Sequence, residues 1–243
     1  MRRISFFLVF LTACATSYKT KSVQYNDYRI ASTIQADSQY IRMLKPYGDS
    51  VRTLMNMPVG HLDQSMEKGA NGGSLGNFMA DAFLTQARLI YKKQVDVSFM
   101  NYGGIRLTDL PVGKITRNAI FELMPFDNSL ILVKAKGEEL QQFLDLISKW
   151  GGWPCAGMTM EIKDKKAVNV LVAGKPLNSQ EVYTIAISDF IANGGDNAAM
   201  LKNLPRENKN YLVRDALMDY VAAFEKQGMP VSVNNETRVS NVK

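Results

Sequence analysis

The sequence predicts an α+β fold: mixed sheets flanked by helices, gathered in one large domain. Three observations carry this. Apolar residues recur at helical spacing in some segments and alternate in others, without the regular strand-helix-strand repetition that builds a parallel sheet. Three strand-like runs, residues 158–162, 168–172 and 182–187, follow one another with turn residues between them. The chain has 243 residues of which 46% are hydrophobic, enough for one sizeable core.

The N-terminus reads as an export signal. Arg2 and Arg3 precede an apolar run over residues 4–11, and small residues then lead to a cysteine. The run is too short to remain in a bilayer as a spanning helix. Leu11-Thr12-Ala13-Cys14 resembles the bacterial lipobox, so residues 1–13 are expected to be removed and Cys14 to carry a lipid anchor. An ordinary signal peptide cut at nearby small residues is the competing reading, and both readings export the chain. Residues 14–27 are polar without a helical stripe and read as a tether to a domain over residues 28–243. Cys155 is then the one cysteine left, so no intrachain disulfide is available and the core must hold the fold. With no His close to it in sequence, Cys155 reads as a small buried hydrophobe and not a nucleophile. Basic residues outnumber acidic ones, 29 to 23, but the two are interleaved. That pattern argues against nucleic acid as a partner and leaves small anionic ligands open.

The elements of the body follow in order. Ile41, Leu44, Val51 and Leu54 suggest a helix, with Pro46 and Gly48 expected to interrupt it. Residues 57–62 read as a short strand. Leu75, Phe78, Met79, Ala82, Phe83 and Ile90 form the clearest helical stripe, after Gly69, Gly72 and Gly73. Residues 95–100 alternate at first and run into Asn101-Tyr102-Gly103-Gly104, a strand ending in a tight glycine turn. Thr116 is an N-cap for a short helix to Leu123, and Pro125 stops it. Residues 129–136 make a strand. Gly137 opens a helix with Leu140, Phe143, Leu144 and Ile147 on one face, closed by Trp150-Gly151-Gly152. After the three strand-like runs, with Asn178 in a turn before the last, a final helix covers residues 212–226. Its Leu217, Tyr220, Val221 and Phe224 face inward, and Gly228 lies past its end.

Three loops carry chemistry. Asn101-Tyr102-Gly103-Gly104-Ile105-Arg106 follows a strand; its glycines admit close approach of backbone to a ligand, while an amide and a guanidinium fork suit oxygen-rich anions. Pro125-Phe126-Asp127-Asn128 places an aromatic between helix and strand, where packing against the core is the bland alternative. The stretch from Ser188 through Phe190, Asn193, Gly194 and Gly195 to Asp196 puts a ring and a carboxylate on one loop. A ring face stacks on a planar base, and a carboxylate accepts hydrogen bonds from a sugar diol. The plainer reading makes Asp196 the cap of a short helix over residues 197–200.

These segments also carry a family resemblance. Leu75-Gly76-Asn77-Phe78-Met79-Ala80-Asp81-Ala82, residues 101–106, Pro125-Phe126 and residues 190–196 occur in the order and spacing of the C-terminal domain of 5′-nucleotidases, the family that includes periplasmic UDP-sugar hydrolases. The resemblance spans about residues 28 to 240. It implies that Phe126 and Phe190 sandwich a nucleobase, that Asp196 binds the ribose, and that Asn101, Gly103, Gly104, Arg106 and Gly194 complete the substrate site. Where the family carries a further substrate-binding arginine, this sequence has Asn71; Lys68 stands nearby, though an ammonium does not reproduce a planar fork.

The resemblance also implies a two-metal phosphoesterase domain ahead of this one. The sequence offers one imidazole, His61, which reads as an ordinary residue at a strand end, so no cofactor or metal site is expected in this chain. The implied function is the nucleotide- or nucleoside-recognising subunit of a split 5′-nucleotidase, with divalent metals supplied by a separate metallophosphatase. On that reading the chain does not hydrolyse phosphate esters alone. A surface lipoprotein that binds nucleotides or nucleosides without a catalytic partner is the alternative.

Overall fold

The computed structural model describes residues 18–29, 31 and 34–242. The expected leader, residues 1–13, and the expected lipidation position, Cys14, lie outside the described residues. By internal packing the chain divides between Lys45 and Pro46. In the first unit, residues 18–29 are exposed and hold no helix or strand. Helix α1 (Ser38–Met55) begins there, capped by Asp37, whose Oδ1 accepts from the amides of Gln39 (2.8 Å) and Tyr40 (3.3 Å). The expected break at Pro46 and Gly48 does not occur. Pro46 lies inside one continuous helix, because a proline removes a single amide bond and an exposed helix leaves the freed carbonyl to water.

The second unit continues with β1 (Pro58–Leu62), β2 (Met66–Glu67), α2 (Gly73–Tyr91), β3 (Val97–Phe99), β4 (Asp109–Leu110), β5 (Gly113–Thr116), α3 (Arg117–Leu123), β6 (Leu130–Lys136), α4 (Gly137–Ser148) and β7 (Cys155–Ala156). It ends with β8 (Met158–Lys163), β9 (Lys166–Val172), β10 (Lys175–Pro176), β11 (Val182–Ser188), α5 (Asp189–Ala192), β12 (Arg206–Glu207), α6 (Val213–Glu225) and β13 (Val239–Asn241). The fold is α+β, as the sequence predicts.

The main sheet has the strand order β12-β6-β11-β3-β7. Its strand β6 shows why the run Leu-Ile-Leu-Val reads as continuously apolar: both faces are covered. Leu130 and Leu132 join the core built on α2 and α6, with Leu75, Met79, Phe83 and Leu217, while Ile131, Val133 and Ala135 join the core under α4, with Phe143, Leu144 and Ile147. Cys155 sits in the second core, 1% exposed. A second sheet, β10-β9-β8-β13, extends that core, and two short pairs, β1-β5 and β2-β4, complete the fold. Helix α2 is the spine of the first core. Phe83 on it is fully buried, so its truncation to Ala should cost about 3–5 kcal/mol.

Strand directions decide where the functional loops meet. β11 runs parallel to β3, with Ala186 opposite Ser98, and antiparallel to β6, with Ser188 opposite Leu130. The C-terminal ends of β3 and β11 and the N-terminal end of β6 therefore share one edge of the sheet. The loops after β3, before β6 and after β11 all leave from that edge. A hydrogen bond from the Asp189 amide to the Ser129 carbonyl (2.9 Å) stitches two of them at their base.

Candidate functional site

Each of the three loops is shaped by its own residues. After β3, Asn101 leads into a single 3-10 turn, Tyr102–Gly104, closed by a bond from the Gly104 amide to the Asn101 carbonyl (2.9 Å). A Cβ on Gly104 would stand 2.7 Å from Asn101 Oδ1 and 2.5 Å from Met100 Cε, so only glycine leaves room for the Asn101 amide group. After β11, Ser188 caps α5 by accepting from the Ile191 amide (3.4 Å), and this short helix presents Phe190. Gly195 lies under that ring: a Cβ there would meet Phe190 Cε1 at 2.6 Å. Asp196 follows in the left-handed region, at φ 47° and ψ 42°, which Asp tolerates better than most residues. Asp196 does not cap the turn after it; its Oδ2 accepts from Asn101 Nδ2 at 2.9 Å. Before β6, Asn128 donates to Asp189 Oδ1 at 3.0 Å.

Together these loops enclose a cavity of about 270 Å³ lined by Asn101, Gly103, Gly104, Met124, Phe126, Asn128, Phe190 and Asp196. Both phenylalanines are unusual for so apolar a residue, with Phe126 40% and Phe190 45% exposed. They are not core side chains. The structure thus brings Asn101, Gly103, Gly104, Phe126, Phe190 and Asp196 to one cavity. It does not place Gly194 on the wall: at φ 94°, Gly194 makes the reversal that delivers Asp196. Nor does Arg106 line the wall. It is exposed at the rim, its Nη1 donating to the Gly103 carbonyl at 3.3 Å and its guanidinium carbon 5.8 Å from the Phe126 ring centroid.

Lys68 reaches the same turn. Its ammonium donates to the Ile105 carbonyl at 2.9 Å and lies 4.0 Å from the Tyr102 ring centroid. Burial, and then repulsion by Arg106, hold the Lys68 pKa below its ordinary value. Lys68 and Arg106 thus both bond to the glycine turn, and neither lines the cavity wall. Asn71 turns elsewhere. Its Nδ2 donates to the Val239 carbonyl at 2.9 Å, beside a separate cavity of about 320 Å³ between residues 70–77 and 235–239. The Asn71 side chain is thus spent on holding the C-terminal strand.

Four further residues shape the site beyond those assigned to it from the sequence. Asn128 and Met124 line the cavity, Gly195 admits the Phe190 ring, and Arg214 of α6 donates to Asp127 Oδ1 at 2.7 Å behind the Phe126 loop. Asn128 and Gly195 had a sequence signal, adjacency to Phe126 and to Asp196; Met124 and Arg214 had none. The remaining titratable candidates are structural. Burial pushes the Cys155 thiol up to about 12, which suppresses the thiolate. His61 Nδ1 pairs with Glu225 Oε2 at 3.1 Å. Among the described residues no three His, Cys, Asp or Glu side chains are grouped so as to hold a metal ion. The donors present do not fit the two-metal centre that the resemblance implies.

Comparison with known proteins agrees with this geometry. A 5′-nucleotidase of Vibrio cholerae is 26% identical over 214 residues, covering 84% of this chain and 37% of that protein. The endonuclease YhcR of Bacillus subtilis is 27% identical over 234 residues, covering 91% of this chain and 18% of that one. The chain therefore spans well under half the length of these relatives. A crystal structure of a 5′-nucleotidase precursor from Thermus thermophilus superposes with a TM-score of 0.71 at 25% identity, over 83% of this chain and 43% of that one. The profile of the family described as 5′-nucleotidase, C-terminal domain, matches residues 58–203, more than half the chain, and the chain belongs to that family.

Proposed function

We propose that this chain is the nucleotide- or nucleoside-recognising subunit of a split 5′-nucleotidase and works with a separate metallophosphatase polypeptide in phosphomonoester hydrolysis. The observation that carries the reading is the cavity itself. Two half-exposed phenyl rings from loops 64 residues apart in sequence number, Phe126 and Phe190, line one space with a carboxylate, Asp196, that Asn101 orients. A base between or against the rings gains stacking energy of about 1–3 kcal/mol. Asp196 has one oxygen engaged by Asn101 and the other to offer to a sugar hydroxyl. Lys68 and Arg106, both bonded to the glycine turn that forms part of the wall, would be the cations to meet a phosphate.

In this scheme base and sugar binding hold the phosphate in place for a metal-activated water, and the divalent metals are the partner's. Cys14 would anchor the exported chain to a membrane. Among the described residues no helix is long and apolar enough to cross one. The test is to add the purified chain to metallophosphatases from the same cell and follow phosphate release from AMP and UMP. Acceleration over the phosphatase alone is expected, and no acceleration with any of them would remove the split-enzyme reading. Mass spectrometry of the membrane-extracted protein should find an acylated Cys14 at its N-terminus.

A further inference from the structure

The geometry points to Arg214 as a positioning residue for the ring of Phe126, an inference that rests on the nucleotide reading and gives a task within it to a residue outside the cavity wall. Arg214 is the second residue of α6, and a cation there is unfavourable twice over. The first turn of a helix carries the positive end of the helix dipole, which favours anions. The guanidinium is also largely desolvated: the side chain is 11% exposed, and Nε is a buried atom with no hydrogen-bond partner. Native proteins rarely leave a buried donor in that state, because its desolvation is not repaid.

What these costs hold in place is a loop. Arg214 Nη2 donates to Asp127 Oδ1 at 2.7 Å, Nη1 donates to the Phe126 carbonyl at 3.4 Å, and the guanidinium carbon lies over the Phe121 ring, 4.1 Å from its centroid. One residue earlier, the Val213 amide donates to the Asn128 carbonyl at 2.8 Å. Phe126, Asp127 and Asn128 are thus each tied to the first turn of α6, and the outer two of them line the cavity. Stability alone does not account for the arrangement. The Asp127 side chain is 80% exposed, and ion pairs of that kind contribute little. A planar fork stacked on a ring does fix direction, which a stacking phenylalanine requires and a flexible ammonium would not supply. Local rules broken with no gain in stability mark a place where function is served.

The test is calorimetry with adenosine and with AMP on the full chain, comparing wild type, R214K, D127A, F126L and the double variant R214K/F126L. R214K keeps the charge and loses the fork, and should weaken binding about tenfold. D127A removes the carboxylate from a largely buried guanidinium and should weaken binding in the same direction, with titrations run well below the variant's own thermal midpoint so that the loss is read on folded protein. In the F126L background R214K should cost nothing further, because the ring through which it acts is gone. Wild-type affinity in both R214K and D127A, or an R214K penalty as large without the ring as with it, overturns the assignment. A wild type that binds neither adenosine nor AMP overturns the nucleotide reading and this inference together, whereas wild-type binding with both R214K and D127A indifferent overturns this inference alone.

Discussion

Gly195→Ala adds one methyl group directly beneath the proposed stacking ring. The new carbon would stand 2.6 Å from Phe190 Cε1, 2.7 Å from Cζ and 2.7 Å from the Phe190 carbonyl oxygen. The backbone at Gly195 has no positive φ, so alanine meets no conformational obstacle there and the collision is the whole perturbation. Carbon contacts settle at about 3.5–4.0 Å, so the ring must withdraw by about 1 Å, and the contact with the Phe190 carbonyl, which is backbone, requires the turn to shift as well. Phe190 is 45% exposed and free to yield. A displacement of that size forfeits about a quarter to a half of a van der Waals contact. Applied to a stacking energy of about 1–3 kcal/mol, the loss is about 0.3–1.5 kcal/mol, or about twofold to about tenfold in affinity. Phe190→Ala removes the whole contact and should weaken binding by about fivefold to about 150-fold. Calorimetric titration with AMP should rank wild type above Gly195→Ala and Gly195→Ala above Phe190→Ala. Unchanged affinity in Phe190→Ala would refute the stacking role, and wild-type affinity in Gly195→Ala would refute the steric argument.

Other consequences are as concrete. Asp196→Asn keeps a side chain that tolerates the left-handed backbone but loses the charged acceptor; nucleoside affinity should fall about tenfold with no change in melting temperature, and an unaffected titration would separate Asp196 from the sugar. Asp81→Asn leaves Arg238, 9% exposed and held bidentate at 2.8 and 3.0 Å, with only the largely exposed Glu236 carboxylate at 3.2 Å as counter-charge, and should cost about 2–3 kcal/mol in urea denaturation; a midpoint at the wild-type value would show the pair to be dispensable. Burial, then the nearby Asp81 carboxylate, push the Tyr220 phenol from 10.0 up to about 12. The folded state therefore keeps a proton that the unfolded chain has lost, and stability should fall as pH rises from about 10 toward 12. Tyr220→Phe should flatten that alkaline decline, and an identical pH profile for the variant would contradict the assignment.

Much of this was legible in the sequence, for identifiable reasons. Helix α2 announces itself because it is buried against α6 and the strands of the main sheet, so Leu75, Phe78, Met79, Ala82 and Phe83 must recur at helical spacing. Thr116 announces α3 because an N-cap needs that hydroxyl, and its oxygen accepts the Ala119 amide at 3.2 Å. Pro46 misled, since composition cannot show that a solvated helix tolerates one missing amide bond. The cavity residues divide in the same way. Phe190 and Asp196 share a loop and suggest a joint task, but the meeting of Asn101 with Asp196 is a property of strand register. Arg214 could not be read at all, because its partner Asp127 is 87 residues distant and an arginine in an amphipathic helix is unremarkable in composition.

Register is also what would let a binding half stand apart from the chemistry, as the proposed split enzyme requires. The parallel pairing of β11 with β3 and the antiparallel pairing of β11 with β6 deliver Asn101, Phe126 and Phe190 to one sheet edge, using strands that lie between residues 97 and 188. The Phe126 loop is braced from α6, and Asp196 from Asn101. Every contact that shapes the cavity is thus internal to the second unit, and no metal ligand is needed to form it. A site assembled this way should bind its ligand with a chelator present as well as without one. Affinity for adenosine that vanished on chelation would mean that the cavity depends on a metal these residues do not hold, and the separation of recognition from hydrolysis would fail with it.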